Sequence, residues 1–127
     1  MSVRDLAVLL SSMEPRIVPG EFVFVSGEVP FAETFASVRE AEGTSFVVTR
    51  EFADALSLSY EFIAGWITLY VQSALDAVGL TAAFSTRLAQ AGISCNVIAG
   101  KYHDHLLVPY DQVERAITEL LQLTQEQ

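Results

Sequence analysis

The sequence predicts an α+β fold of two small units, each with an antiparallel sheet and helices on one face, sharing or exchanging strands. Three observations carry that expectation. Short runs rich in Val, Ile, Phe and Tyr alternate along the chain with segments of helical periodicity. Phe46-Val47-Val48-Thr49, before one helix, resembles Leu106-Leu107-Val108-Pro109, before another, about sixty positions later, which is a weak internal repeat. The second half reads β-α-β-β-α, one strand short of a complete four-stranded unit.

Taken in order, Ser2 with Asp5 three residues on opens a helix in which Val3, Leu6, Leu9, Leu10 and Met13 recur at helical spacing. Pro15 ends it, because proline has no amide hydrogen and disfavours a helical residue before it. Pro19-Gly20 is expected to turn the chain. Phe22–Val25 follows as a strand without polar alternation, so burial on both faces is expected. Pro30 interrupts; Phe35–Glu40 is a second strand, Glu42-Gly43 a tight turn and Phe46–Val48 a third strand. Thr49 caps a helix carrying Phe52, Ala53 and Leu56 on one face. Tyr60–Val71 alternates, with Trp66 and Tyr70 on one face and Ile67, Leu69 and Val71 on the other.

Asp76–Gly79 makes the next bend. Leu80, Ala83, Phe84, Leu88 and Ala91 mark one face of a helix, and Gly92 suits its left-handed end. Two strands follow within Gly92–Pro109. Asp111 with Glu114 resembles a capping box, and the last helix is expected to bury Val113, Ala116, Ile117, Leu120 and Leu121, with Gln125–Gln127 frayed. The division falls near Leu58–Tyr60, giving units of residues 1–60 and 61–127. The later unit is most of a ferredoxin-like fold. Its missing strand would come from Phe22–Val25 or Tyr60–Val71, either of which could serve both sheets.

Composition excludes several functions. The apolar share of 51% promises a real core, yet no window holds the roughly 18 uninterrupted apolar residues of a membrane span. Sixteen acids against seven bases give a net charge of −9, a surface that repels phosphate backbones, so no nucleic-acid partner is expected. Met1-Ser2-Val3-Arg4-Asp5 does not begin a signal peptide, and the single Cys95 cannot form an internal disulfide, so a cytoplasmic protein is expected. Phosphate-binding loops and hydrolase elbows are missing from the sequence.

The densest run of hydrogen-bonding side chains is Ala99–His105, between Val97-Ile98 and Leu106–Val108. It is either a hairpin with a functional tip or a plain surface loop. In an extended strand His103 and His105 project from one face and could share an ion with Cys95. Two histidines and one distant cysteine fall short of the usual tetrahedral set, so no metal is expected. A Cys95 nucleophile would need a histidine beside it, but its apolar surroundings suit a small buried residue, so no catalytic residue is assigned. Trp66 and Tyr70 are expected to pack, or to form a subunit interface if their face lies open. Glu114, Glu119 and Glu126 suit a solvated helix face.

Val71–Pro109 resembles the ACT domain, in its strand, its Asp76-x-x-Gly79 opening a helix, its Leu88-x-x-x-Gly92-Ile93 and its two further strands. The whole chain is similar to bacterial tandem ACT proteins of uncharacterised function, through Arg39–Gly43, Gly92–Val97 and Tyr102–Leu106. The C-terminal half is also similar to the ACT pairs of cytosolic arginine sensors, although Gly100, Lys101, Tyr102 and His103 depart from their motif before Asp104. The resemblance implies a non-catalytic regulatory or sensory module, without cofactor, that binds an amino acid and forms a homo-oligomer, most simply a dimer. It points to Val78, Gly79, Leu80 and Thr81, then Asn96, Val97 and Ile98, with His103 and Asp104 on the hairpin. The chemistry suits a zwitterion. Unpaired first-turn amides at Gly79–Thr81 could hold a carboxylate, and Asp104 could pair with an ammonium. The alternatives are a ligand-free partner-binding protein and a small metal-dependent enzyme using His103 and His105.

Overall fold

The computed structural model describes residues 5–127. Among them the chain forms α1 (Leu6–Ser12), β1 (Glu14–Ser26), β2 (Ala36–Glu40), β3 (Gly43–Thr49), α2 (Arg50–Ala55), β4 (Ile63–Tyr70), α3 (Leu80–Gln90), β5 (Asn96–Ala99), β6 (Asp104–Pro109) and α4 (Val113–Gln125). The chain divides into two compact units. One joins the segment through Val18 to Gly65–Gln127; the other is Pro19–Ala64. β1 and β4 each run from one unit into the other, so strands are indeed shared.

In the first unit the strand order is β1-β4-β6-β5. The strand missing from the linear order of the second half comes from β1, through the part of it in this unit, Glu14–Val18, and not from Phe22–Val25 as expected, which lies in the other unit and pairs with β3. Ile67, Leu69, Leu106 and Val108 face a core closed by Leu9, Phe84, Leu88 and Leu120 from the helices. Helices α1, α3 and α4 also touch one another, as helices laid on one sheet face must. Gly65 in β4 lets α4 start close to the strand: a Cβ there would lie 2.0 Å from Val113 Cγ2. In the second unit the order is β2-β3-β1, with Phe22 opposite Thr49 and Ser37 opposite Phe46. Val23, Val25, Val48 and Ala53 form its core.

Several local expectations change. Asp5 caps α1 by accepting from the Val8 amide at 3.0 Å; the proposed start at Ser2 and Val3 lies outside the described residues. Pro19-Gly20 does not turn the chain but lies within β1, with Gly20 at φ 114°. Proline loses only its amide donor and keeps a φ compatible with extended backbone, so a strand tolerates it where that donor is not needed. Phe24 is 37% exposed, so Phe22–Val25 is not buried on both faces throughout, and Leu56 is exposed beyond the end of α2. Thr49 does cap α2, accepting from the Phe52 amide at 3.2 Å.

The capping box at Asp111 and Glu114 does not form. A 3-10 turn over Tyr110–Gln112 leads into α4, which has no side-chain cap. Leu123 is buried in place of Leu121, because Val113, Ala116, Leu120 and Leu123 recur at steps of three and four on one face of α4, while Leu121 is turned away from that face. α4 ends at Gln125, and beyond it the Gln127 side-chain amide donates to the Leu123 carbonyl at 2.9 Å. Glu119 and Glu126 are not simply solvated, since Arg87 on α3 donates to them at 3.0 and 2.6 Å. No helix among the described residues is long and apolar enough to cross a membrane.

Candidate functional site

Two glycine-dependent features meet in the first unit. α3 opens at Gly79, whose φ of 103° suits only glycine readily and which, as the N-cap residue, has no side-chain oxygen to offer the helix. Its first-turn amides carry the partial positive charge of a helix start. The β5–β6 hairpin places Ile98 opposite His105 and Ala99 opposite Asp104, and the Gly100 amide closes it by donating to the His103 carbonyl at 2.9 Å. A Cβ on Gly100 would stand 3.0 Å from that carbonyl and 3.2 Å from His105 Nε2.

Between the start of α3 and the hairpin tip lies a cleft of about 120 Å³. Its apolar wall is Val71, Ala74, Leu75, Ala77 and Leu80; its polar side chains are Ser73, Thr81, Lys101, His103 and Asp104. Four residues singled out in the sequence, Leu80, Thr81, His103 and Asp104, are thus brought together. Val78 is 84% exposed and does not line the cleft. Gly79 shapes the helix start without lining it. Asn96, Val97 and Ile98 lie along β5, away from the lining. The wall from Val71 to Ala77 was missed because a loop without periodicity gives no signal of where its side chains turn. Lys101 stood in the polar run but was noted only as a departure from a motif.

The charges in the cleft are unmet. Asp104 is half-buried, and among the described residues it has no hydrogen-bond or ion-pair partner. Burial pushes its pKa up, opposed by the neighbouring His105. Lys101 meets only the Tyr102 ring, at 5.5 Å, and no carboxylate among the described residues. His103 Nδ1 is buried without a hydrogen-bond partner among the described residues, its ring 4.3 Å from Tyr70, which in turn carries the Arg16 guanidinium at 3.9 Å.

His105 is occupied otherwise. On the sheet face away from the helices, the Trp66 indole donates to Thr68 Oγ1 at 3.1 Å and to His105 Nδ1 at 3.3 Å, and Thr68 Oγ1 lies 3.0 Å from the same nitrogen. Nδ1 is therefore an acceptor, and the ring's hydrogen sits on Nε2. Burial lowers the His105 pKa, helped by His103 and opposed by Asp104. Between the unfolded value of about 6.5 and the lower folded one, only the unfolded chain takes the proton. His105 thus withdraws stability as pH falls through about 6.5, fully so below its folded pKa. An NMR titration of the ring is expected to give a value below 6.5; a value at or above it would contradict the buried acceptor.

The sharper chemistries find no support in this geometry. His103 and His105 rings stand 6.4 Å apart at 89°, and no three potential ligands among the described residues are placed to hold a metal. Cys95, placed before β5 and packed on the core, has its thiol pushed up to about 11 by burial, so it is protonated and unreactive near neutral pH.

The comparisons with known proteins fit this arrangement. One ACT-domain profile matches residues 1–65 and a second matches residues 61–122. The chain belongs to the ACT-domain family. Its ACT copies stand in tandem, and ACT domains are small-ligand regulatory modules. A Vibrio cholerae protein of unknown function, titled a possible transport protein, is 40% identical over 94% of this chain and 95% of that one, with a TM-score of 0.84. Two more distant structures share the fold. An Agrobacterium tumefaciens protein is 19% identical, over 88% and 89% of the two chains, with a TM-score of 0.68. The ligand-free regulatory subunit of aspartate kinase from Thermus thermophilus is 11% identical, over 86% and 95%, with a TM-score of 0.64. No curated protein matches the chain.

Proposed function

We propose that this tandem ACT protein is a non-catalytic sensory module that binds an α-amino acid in the cleft between α3 and the β5–β6 hairpin. The observation that carries this is the pairing in one small space of two charges that have no ion-pair partner among the described residues, the Asp104 carboxylate and the Lys101 ammonium, beside the first turn of α3. A zwitterion satisfies both at once. Its ammonium pairs with Asp104; its carboxylate is held by Lys101 and the amides of Leu80 and Thr81, where the helix end favours an anion. Asp104, disfavoured in its ionised form when the cleft is empty, gains its counter-charge on binding.

A homodimer suits the same reading. β5 ends the strand order of its unit without a charged side chain, the kind of edge that pairs with another chain. The two copies are taken to divide the sequence into residues 1–60 and 61–127, and analytical ultracentrifugation would check the dimer.

A thermal-shift screen of the twenty amino acids tests the assignment. Ligand at a hundred times its Kd adds about 2.7 kcal/mol, a rise of roughly 10 °C for a chain of this size. Affinity is expected to fall as pH drops, beginning above the usual carboxylate range, because Asp104 must be ionised to pair and burial raises its pKa. If no amino acid at millimolar concentration moves the midpoint, the cleft is not an amino-acid site.

A further inference from the structure

We infer that the cleft selects an amino acid with a neutral aliphatic side chain, valine, leucine or isoleucine; this rests on amino-acid binding there as proposed above. The charges already present decide it first. Asp104 and Lys101 are matched by the ligand's own ammonium and carboxylate, and among the described residues no second carboxylate or lysine lines the cleft to receive a charged side chain. A lysine or arginine ligand would bring a cation with no partner there. A glutamate ligand would set a second anion against the single Lys101. Burying such a charge unpaired is costly.

The wall decides it second. Away from the charged tip the lining is Val71, Ala74, Leu75, Ala77 and Leu80, with only the hydroxyls of Ser73 and Thr81 as polar side chains among the described residues. Leu75 stands at the cleft yet is 76% exposed. An aliphatic ligand side chain would lie against it and remove that surface from water, which a polar one would not do favourably. The cleft is small, about 120 Å³.

The test is calorimetric titration of the full chain with valine, leucine and isoleucine against lysine, arginine, aspartate, glutamate and phenylalanine. At least one aliphatic amino acid is expected to bind tenfold or more tightly than every charged one and than phenylalanine. Leu75→Asp, at an exposed position where folding is not at stake, is expected to weaken aliphatic binding tenfold and to strengthen lysine binding by a similar factor. A charged or aromatic amino acid binding tightest in the unaltered protein, and losing that affinity in Asp104→Asn, would overturn the aliphatic selectivity and leave the site standing. Unchanged affinities in Leu75→Asp would also overturn it. Silence from all eight amino acids would overturn the aliphatic selectivity, and silence from the remaining twelve as well would remove the site itself.

Discussion

Asp104→Asn is expected to weaken amino-acid binding by about 30- to 150-fold while raising the melting temperature of the ligand-free protein at neutral pH. The two effects share one cause. Removing the charged half of an ammonium–carboxylate hydrogen bond costs about 2–3 kcal/mol, which sets the range of affinity loss. In the empty cleft the same carboxylate is half-buried with no partner among the described residues, and burial raises its pKa. Its sign runs opposite to that of a salt-bridged aspartate. The folded chain holds the proton more readily than the unfolded one, so Asp104 subtracts stability above its folded pKa. That penalty fades as pH falls through the folded value toward the unfolded value of about 3.9. Melting curves at pH 7 and pH 3.5 separate the variant from the parent. The midpoints should differ at the higher pH and approach each other at the lower. A variant that binds amino acids as well as its parent would remove Asp104 from the site. One that is less stable at pH 7 would show that the carboxylate has a partner in solution.

Gly65→Ala is expected to destabilise the first unit by about 1–3 kcal/mol, lowering the melting temperature by roughly 5–10 °C. The added Cβ would fall 2.0 Å from Val113 Cγ2 and 3.7 Å from the Tyr110 Cα. Valine is stiff at χ1 and sits buried at the first turn of α4, so it cannot swing aside cheaply. An alanine in a strand otherwise favours folding slightly by restricting the unfolded chain, so a fall in stability isolates the clash. In a Val113→Ala background the same change should cost clearly less, since the opposing methyl groups are gone. An unaltered melting temperature for the single variant would mean that α4 does not approach β4 as described.

Most strands and helices were legible because their apolar residues recur at the right period: Phe46–Val48, the alternation of Tyr60–Val71, the stripe Leu80, Phe84 and Leu88, and the hairpin strands around Ala99–His105. Thr49 and Gly92 were legible because a helix end needs an acceptor at one end and a left-handed residue at the other. Pro19-Gly20 misled because the same pair suits a turn or a strand that has no need of that amide. Leu121 misled because it lies at the margin of the apolar stripe, and packing against the sheet and α3 decides which margin of α4 is covered. In the cleft, Thr81 and Asp104 were reachable from motif and chemistry. Ser73, Ala74, Leu75 and Ala77 were not, since an aperiodic loop does not announce which way its side chains point. Gly65 carried no sign of its role, because a close approach between β4 and α4 is a fact about two distant segments.

Local sequence by itself determined the α+β class and a polar run between two strand patterns, because period, capping chemistry and turn glycines are properties of neighbouring residues; the two-copy ACT family was read from resemblance to known sequences. Tertiary structure alone decided that β1 supplies the fourth strand beside β4. It also decided that His105 is committed to Trp66 and Thr68, while Asp104 and Lys101 face a shared cleft unpaired. These are long-range pairings, set by which surfaces must leave water together and not by any residue's preference for its neighbours.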